Sequence, residues 1–218
     1  MKKCRVFFML LMMLCIQQLQ AQDPVLQPEK VFQLYFNAYI RYDNRSLDEL
    51  NMYGNQFLDT ESIREQTFNS KVDHLTKIFL STLPDKVAQA CLPDARNYFA
   101  VLMDQLKNAN YQIKSVSDIT DKQLEGQKVT EILYQVNLKV PSRPLDTKER
   151  DIRRFTAGEM KKYLKDLTSH LKKADKKVLI SDTFRLYQKY KDGNVFYWNG
   201  GPESLSWNLE EAYLKNIK

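Results

Sequence analysis

The spacing of apolar residues changes along this chain, and the first half is helical in character. Apolar side chains recur every three or four residues in three stretches, which begin at Pro28, at Phe68 and after Pro93. The first stretch is apolar on two faces, so its helix is expected to be buried on most sides. Pro84 is expected to end the second helix, and the polar stretch 43–59 to form a short helix and a loop. We therefore predict three or four helices in this half.

The second half alternates between apolar and polar residues, which is the period of a β-strand with one buried face. An Asp192-Gly193 pair between two such runs is a strong hairpin signal. We predict two strand pairs, a long amphipathic helix between them and a short final helix. The expected strands are 111–119, 130–140, 178–190 and 195–198, with a turn at Glu125-Gly126 in the first pair, and the expected helices are 148–174 and 209–217.

Helices packed on a mainly antiparallel sheet of about four strands make an α+β fold. The length of 218 residues suits one domain, or two small ones, with a core of ordinary size. No linker rich in proline, glycine or serine divides the chain. We therefore expect residues 22–218 to form a single α+β domain.

Two segments resemble the nuclear-transport-factor-2-like superfamily. They are the amphipathic stretch VFQLYFNAY at 31–39 and the hairpin YKDGNVFYW at 190–198. The resemblance implies a cone-shaped sheet that wraps a long helix, as in exported bacterial members of that superfamily. The extra N-terminal helices and the helix between the strand pairs depart from its pattern, and it implies no site residues.

Residues 1–21 have the organisation of a secretory signal peptide from a Gram-negative bacterium. Three basic residues among the first five precede an apolar run of eleven residues, Val6 to Ile16. This run is too short to span a bilayer but suits the apolar region of a signal peptide. Cleavage after Ala21 would make the mature protein periplasmic or secreted.

The cysteines bear on anchoring and on disulfides. Cys15 would be the lipidated residue of a lipoprotein, but Leu14 stands where lipidation signals have a small residue, so a lipid anchor is not favoured. Loss of Cys4 and Cys15 with the signal peptide would leave Cys91 alone. We therefore expect no internal disulfide.

Composition excludes several classes of protein. Hydrophobic residues make up 43% of the chain and aromatic residues 11%, which opposes disorder. Six glycines and seven prolines exclude a collagen-like chain. The net charge of +6 would fall to +3 with loss of the signal peptide, which has three basic residues and no acidic one. Export itself disfavours nucleic acid as a partner.

The sequence contains no familiar catalytic or cofactor motif. It lacks the glycine loops that bind phosphate and the Gly-X-Ser-X-Gly elbow of hydrolases. His74, His170 and Cys91 are not at the close spacing that zinc sites use, and Cys91 is expected to be an inert buried thiol. We expect no metal, cofactor or catalytic residue. An enzyme site assembled from distant residues is the alternative.

The aromatic end of the chain is the first candidate binding surface. Phe196 and Trp198 point to the side of a strand opposite to Tyr197, so a core on one side cannot bury all three. Tyr197, Trp198 and nearby Trp207 are therefore candidates for a ligand or partner surface. The alternative is that these aromatic residues belong to the core.

A lysine patch is the second candidate. Between 143 and 177, twelve Lys or Arg residues accompany six Asp or Glu residues. Such a surface is attracted to anionic envelope components such as lipid headgroups or lipopolysaccharide, and the alternative is a solvated lysine face on a docked helix. The patch consists of Lys161, Lys162, Lys165, Lys172, Lys173, Lys176 and Lys177.

These observations favour an exported protein that binds an envelope protein or a small ligand and does not catalyse a reaction. The two alternatives are a small-molecule enzyme and a structural component of the envelope.

Overall fold

The structure, a computed structural model, describes residues 25–58, 67–121, 126–143 and 151–217. These residues form six α-helices and one sheet of four antiparallel strands in the order β1-β2-β3-β4. The predicted α+β fold is confirmed. In chain order the elements are α1 (Pro28–Tyr39), α2 (Asn44–Gly54), α3 (Phe68–Leu80), α4 (Asp85–Lys107), β1 (Asn110–Asp121), β2 (Gln127–Val140), α5 (Ala157–Leu171), β3 (Lys176–Lys191), β4 (Asn194–Trp198) and α6 (Glu203–Asn216).

Helix α1 lies at the centre of the fold. Pro28 occupies its first turn, where a missing N–H costs nothing. The Phe32 ring packs against rings from three strands, with centroid distances of 5.2 Å to Tyr111, 4.8 Å to Tyr134 and 5.6 Å to Phe184. Eight of the twelve residues of α1 are buried, so the prediction of a helix buried on most sides is confirmed.

The hairpin between β3 and β4 has the predicted two-residue turn. Asp192 and Gly193 have φ angles of 50° and 78°, and two positive φ values in succession are the type I′ geometry that suits the twist of a hairpin. Lys191 pairs with Asn194 to close the turn. The turn predicted at Glu125-Gly126 lies partly outside the described residues, although Gly126 has a φ of 82°.

A second, smaller core joins α4 to α5. It contains Leu83, Cys91, Ala95, Met160 and Leu164, all of them buried. The Cys91 thiol is 3.6 Å from the carbonyl oxygen of Ala157, at the start of α5. This core fixes α5 against the helical layer.

Three predicted helix starts are wrong, those of α4, α5 and α6. We expected a helix to begin after Pro93, but α4 begins at Asp85 and continues through Pro93, so one backbone hydrogen bond, to the carbonyl of Gln89, is lost without ending the helix. The helix expected at 148–174 is shorter, because Thr156 and Glu159 form a capping box that begins α5 at Ala157.

The final helix is also longer than predicted, since it begins at Glu203. The predicted signal peptide lies outside the described residues. Within the ranges that the structure describes, no helix is long and apolar enough to cross a bilayer.

Candidate functional site

A cleft lies where β4 ends and the chain leaves the sheet. β4 pairs only with residues 187–191 of β3, so on the side away from β2 the first part of β3 has no strand beside it. The cleft has a volume of about 940 Å³, which is within the range of small-molecule sites. Its lining residues are Gln127, Asp182, Thr183, Phe184, Arg185, Tyr187, Trp198, Asn199, Gly200, Gly201, Ser204 and Asn208.

Asn199 holds the chain in place as it turns away from β4. Its side-chain Nδ2 donates to the carbonyl of Arg185 at 2.8 Å, and its Oδ1 accepts from the amide of Gly201 at 2.8 Å. The Tyr35 hydroxyl of α1 donates to the Asn199 carbonyl at 3.2 Å and accepts from the Asn199 amide at 3.0 Å. The floor of the cleft is therefore tied both to the sheet and to the central helix.

One wall of the cleft is aromatic. Tyr187 and Trp198 are cross-strand partners, with ring centroids 5.8 Å apart. Gly200 lies against the indole, because a Cβ at that position would be 3.0 Å from Cζ3 of Trp198. A larger residue at 200 would have to displace the ring, so this glycine permits the close approach of the turn to the wall.

The other wall is polar, and its side chains are already hydrogen-bonded to other groups of the protein. Asp182 Oδ2 accepts from the Tyr134 hydroxyl at 3.2 Å and from Asn208 Nδ2 at 3.0 Å, and its Oδ1 accepts from the Thr183 amide at 2.8 Å. Burial and the neighbouring carboxylate of Asp182 raise the pKa of Tyr134. On the aromatic side, Arg185, two residues before Tyr187 on the strand, forms an ion pair with Glu131 at 3.1 Å. These contacts fix the charged side chains before any ligand arrives.

The structure separates the three aromatic candidates. Trp198 lines the cleft, whereas Tyr197 is half-buried against the main core and its amide donates to the Tyr53 hydroxyl at 2.9 Å. Trp207 is 61% exposed on α6 and does not line the cleft, although its neighbour Asn208 does. Phe196 is buried against Phe57, with ring centroids 4.7 Å apart.

The lysine patch begins on α5 and ends on β3. Lys161 is half-buried and the other six lysines are exposed. None of the seven forms an ion pair with another described residue. The pairing of β2 with β3 also places Lys139 directly opposite Lys177, and like charges in that position repel. The positive charge is therefore concentrated at the start of β3.

The remaining candidates for chemistry lie apart from the cleft. Cys91 is fully buried, and burial raises the pKa of its thiol, which disfavours the reactive thiolate. His74 is exposed and His170 is buried. In the part of the chain that is described, no three His, Cys, Asp or Glu side chains are grouped so that they could hold a metal ion.

The polar residues of the cleft could not be predicted from the sequence. Asp182, Asn199 and Asn208 belong to a strand, a turn and a helix, and nothing in their spacing brings them together. The one signal in the sequence is the Asn199-Gly200-Gly201 stretch directly after the predicted strand 195–198, and its composition is that of a simple turn.

Comparison of the chain with protein-family models, with curated proteins and with solved structures gave no match. The resemblance to the nuclear-transport-factor-2-like superfamily therefore stays a prediction that rests on segments 31–39 and 190–198.

Proposed function

We propose that this is an exported binding protein, not an enzyme, and that its ligand enters the cleft between Trp198 and Asp182. The observation that carries the proposal is the combination of an aromatic wall and a polar wall around one opening at the sheet edge. Apolar surface with a few placed polar groups is the common composition of ligand sites.

Binding is favoured over catalysis by the state of the charged groups in the cleft. Asp182 receives three hydrogen bonds from within the protein, and Arg185 is paired with Glu131. A general acid or base needs a proton that can be exchanged with a substrate. Here the charged side chains are held as parts of the wall, which suits recognition of a ligand's shape and polarity.

The chain has only two tryptophans, and this gives a direct test. In Trp207→Phe the sole indole is Trp198, within the cleft; in Trp198→Phe it is Trp207, outside the cleft. Amino acids, nucleosides and short oligosaccharides are first screened for compounds that raise the melting temperature of the wild-type protein. Each compound found is then titrated against both variants while indole fluorescence is recorded.

We expect ligands to change the emission of Trp207→Phe and to leave that of Trp198→Phe unchanged, because only Trp198 lines the cleft. Compounds that stabilise the protein but change only the Trp207 signal would place the site elsewhere. If no compound of these classes, and no short peptide screened in the same way, changes the emission of Trp198, the proposed function is wrong.

A further inference from the structure

The first part of β3 is an open strand edge. A two-residue hairpin closes on a hydrogen-bonded pair, here Lys191 and Asn194, so the odd-numbered residues of β3 direct their N–H and C=O groups towards β4. Asn199 confirms this direction, since its side chain donates to the carbonyl of Arg185 from the β4 side. Beyond the end of β4, the N–H and C=O groups of the odd-numbered residues in 177–183 therefore point away from the sheet.

Most of this edge has no hydrogen-bond partner among the described residues, although the start of α6 lies beside its Asp182 end. The Thr183 amide is satisfied by the Asp182 side chain. No backbone group outside the sheet pairs with Lys177, Leu179 or Ser181. Leu179 is 57% exposed, and Lys177, Ser181 and Thr183 are exposed as well. An edge of this kind offers a row of unsatisfied donors and acceptors to another extended chain.

We propose that the ligand is an extended peptide segment that pairs with β3 along 177–183, in line with β4, and that one end of it enters the cleft. This inference rests on the proposed function, because the cleft lined by Thr183, Arg185 and Trp198 is the place where the added strand meets the end of β4. The added strand runs antiparallel to β3, like every other neighbour in the sheet. Its N-terminal end therefore lies at the cleft.

The charge at the far end of the edge indicates the chemistry of the peptide. Lys176 and Lys177 begin β3, and Lys139 lies opposite Lys177. Lys172 and Lys173 are separated from the strand by Ala174 and Asp175, and the Asp175 carboxylate accepts hydrogen bonds from Ser142. None of these lysines is in an ion pair with a described residue. The C-terminal end of an antiparallel peptide lies beside them, so acidic residues at that end complement the surface.

Two other occupants suit the edge less well. A second copy that paired antiparallel along 177–183 would set each Lys177 opposite a Thr183, so the lysines would gain no acidic partner directly opposite. Lipid headgroups would neutralise the lysines but would leave the amide and carbonyl groups of the edge unpaired. A peptide satisfies both the backbone groups and the charge.

The first experiment selects the ligand from N-acetylated random peptides of about eight residues, the length that spans this edge at roughly 3.3 Å per residue. We expect selected sequences to alternate Val, Ile or Thr with other residues and to carry Asp or Glu in their last positions. The best peptide is then remade with N-methyl groups on alternate amides, in two complementary patterns. One pattern blocks the amides that face β3, and we expect it to weaken binding about tenfold or more; the other should bind nearly as well as the parent.

Charge reversal supplies the matched control on the protein. In K176E/K177E we expect the acidic peptide to bind about tenfold more weakly, because the new carboxylates repel its acidic end. A matched peptide that ends in lysines should bind this variant more tightly than it binds the wild-type protein, because the same carboxylates attract it. Circular dichroism establishes that the variant is folded. Equal effects of the two N-methyl patterns, or no selected peptide at all, would overturn the proposal.

Three further outcomes decide between a peptide and the other possible occupants of the edge. A dimer in sedimentation that K176E/K177E alters would assign the edge to a second copy, and binding to phosphatidylglycerol vesicles that the peptide does not displace would assign the lysines to a membrane. A small compound that changes Trp198 emission while no peptide binds leaves the proposed function intact and refutes this inference alone.

Discussion

Lys71 and Glu210 form an ion pair in the interior of the protein. Lys71 is 2% exposed and Glu210 13%, and their charged atoms are 2.7 Å apart. The Ser206 hydroxyl also donates to Glu210, at 2.6 Å. The pair joins α3 to α6 across most of the chain, so nothing in the sequence could reveal it.

Removal of one charge from this pair is expected to destabilise the folded protein. Lys71→Met leaves the Glu210 carboxylate largely buried without its cation, and we expect unfolding free energy to fall by about 3 kcal/mol in urea titrations. Lys30→Met is the matched control, because its exposed pair with Glu49 should contribute about 0.5 kcal/mol or less. The double variant Lys71→Met, Glu210→Leu should recover most of the loss. A single variant as stable as the control would show that the pair contributes little.

The aromatic wall of the cleft shows what the sequence reveals about single residues. Strand alternation separated Trp198 from Tyr197, and only Trp198 lines the cleft. Phe196 shares a side with Trp198 by alternation, yet the end of α2 and the turn after it bring Tyr53 and Phe57 over it. Alternation predicts which way a side chain points; it does not predict which other elements arrive to cover it.

Helices and strands were predictable where their apolar period was regular. The period gave α1 and α3 correctly, because Pro28 and Phe68 begin uninterrupted stripes. It was wrong for α4, where we took Pro93 as a boundary. The buried stripe of Ala95, Leu102 and Leu106 and the smaller core around Cys91 hold this helix together on both sides of the proline. Tertiary packing here outweighs the local preference of one residue.

Pro93 should therefore lower the stability of the folded protein by an amount that a substitution can measure. Pro93→Ala restores an amide that can donate to the carbonyl of Gln89, and it removes the clash of the ring with that turn. We expect an increase in unfolding free energy of about 1–2 kcal/mol. Pro84→Ala, before the first turn of α4, is the control and should not stabilise the protein. A Pro93→Ala variant that is no more stable than wild type would contradict this account.

At the scale of the whole molecule, the open edge follows from a mismatch of strand lengths. β3 has sixteen residues and β4 has five. The sequence already predicted strands at 178–190 and 195–198, so the mismatch was visible before the structure. What it could not show is where the helices of the described residues lie relative to this edge: α5 packs against α4, and the start of α6 contributes Ser204 and Asn208 to the cleft.

The predicted export of the protein, with removal of the signal peptide, can be tested through its cysteines. The full chain has three cysteines, and cleavage after Ala21 would remove Cys4 and Cys15. Cys91 is fully buried, and burial raises the pKa of its thiol, so the folded protein should react very slowly with a thiol reagent at pH 8. We therefore expect the protein recovered from a Gram-negative host to show almost no reactive thiol when folded and one equivalent per chain when unfolded in guanidinium.

Mass spectrometry of the same sample should give a chain that begins at Gln22. Cys91→Ala is the control, because its unfolded mature form should show no thiol at all. Three thiols in guanidinium, with an intact Met1, would show that the signal peptide had not been removed and would contradict export. A thiol that reacts rapidly in the folded protein would instead contradict the buried position of Cys91 between α4 and α5.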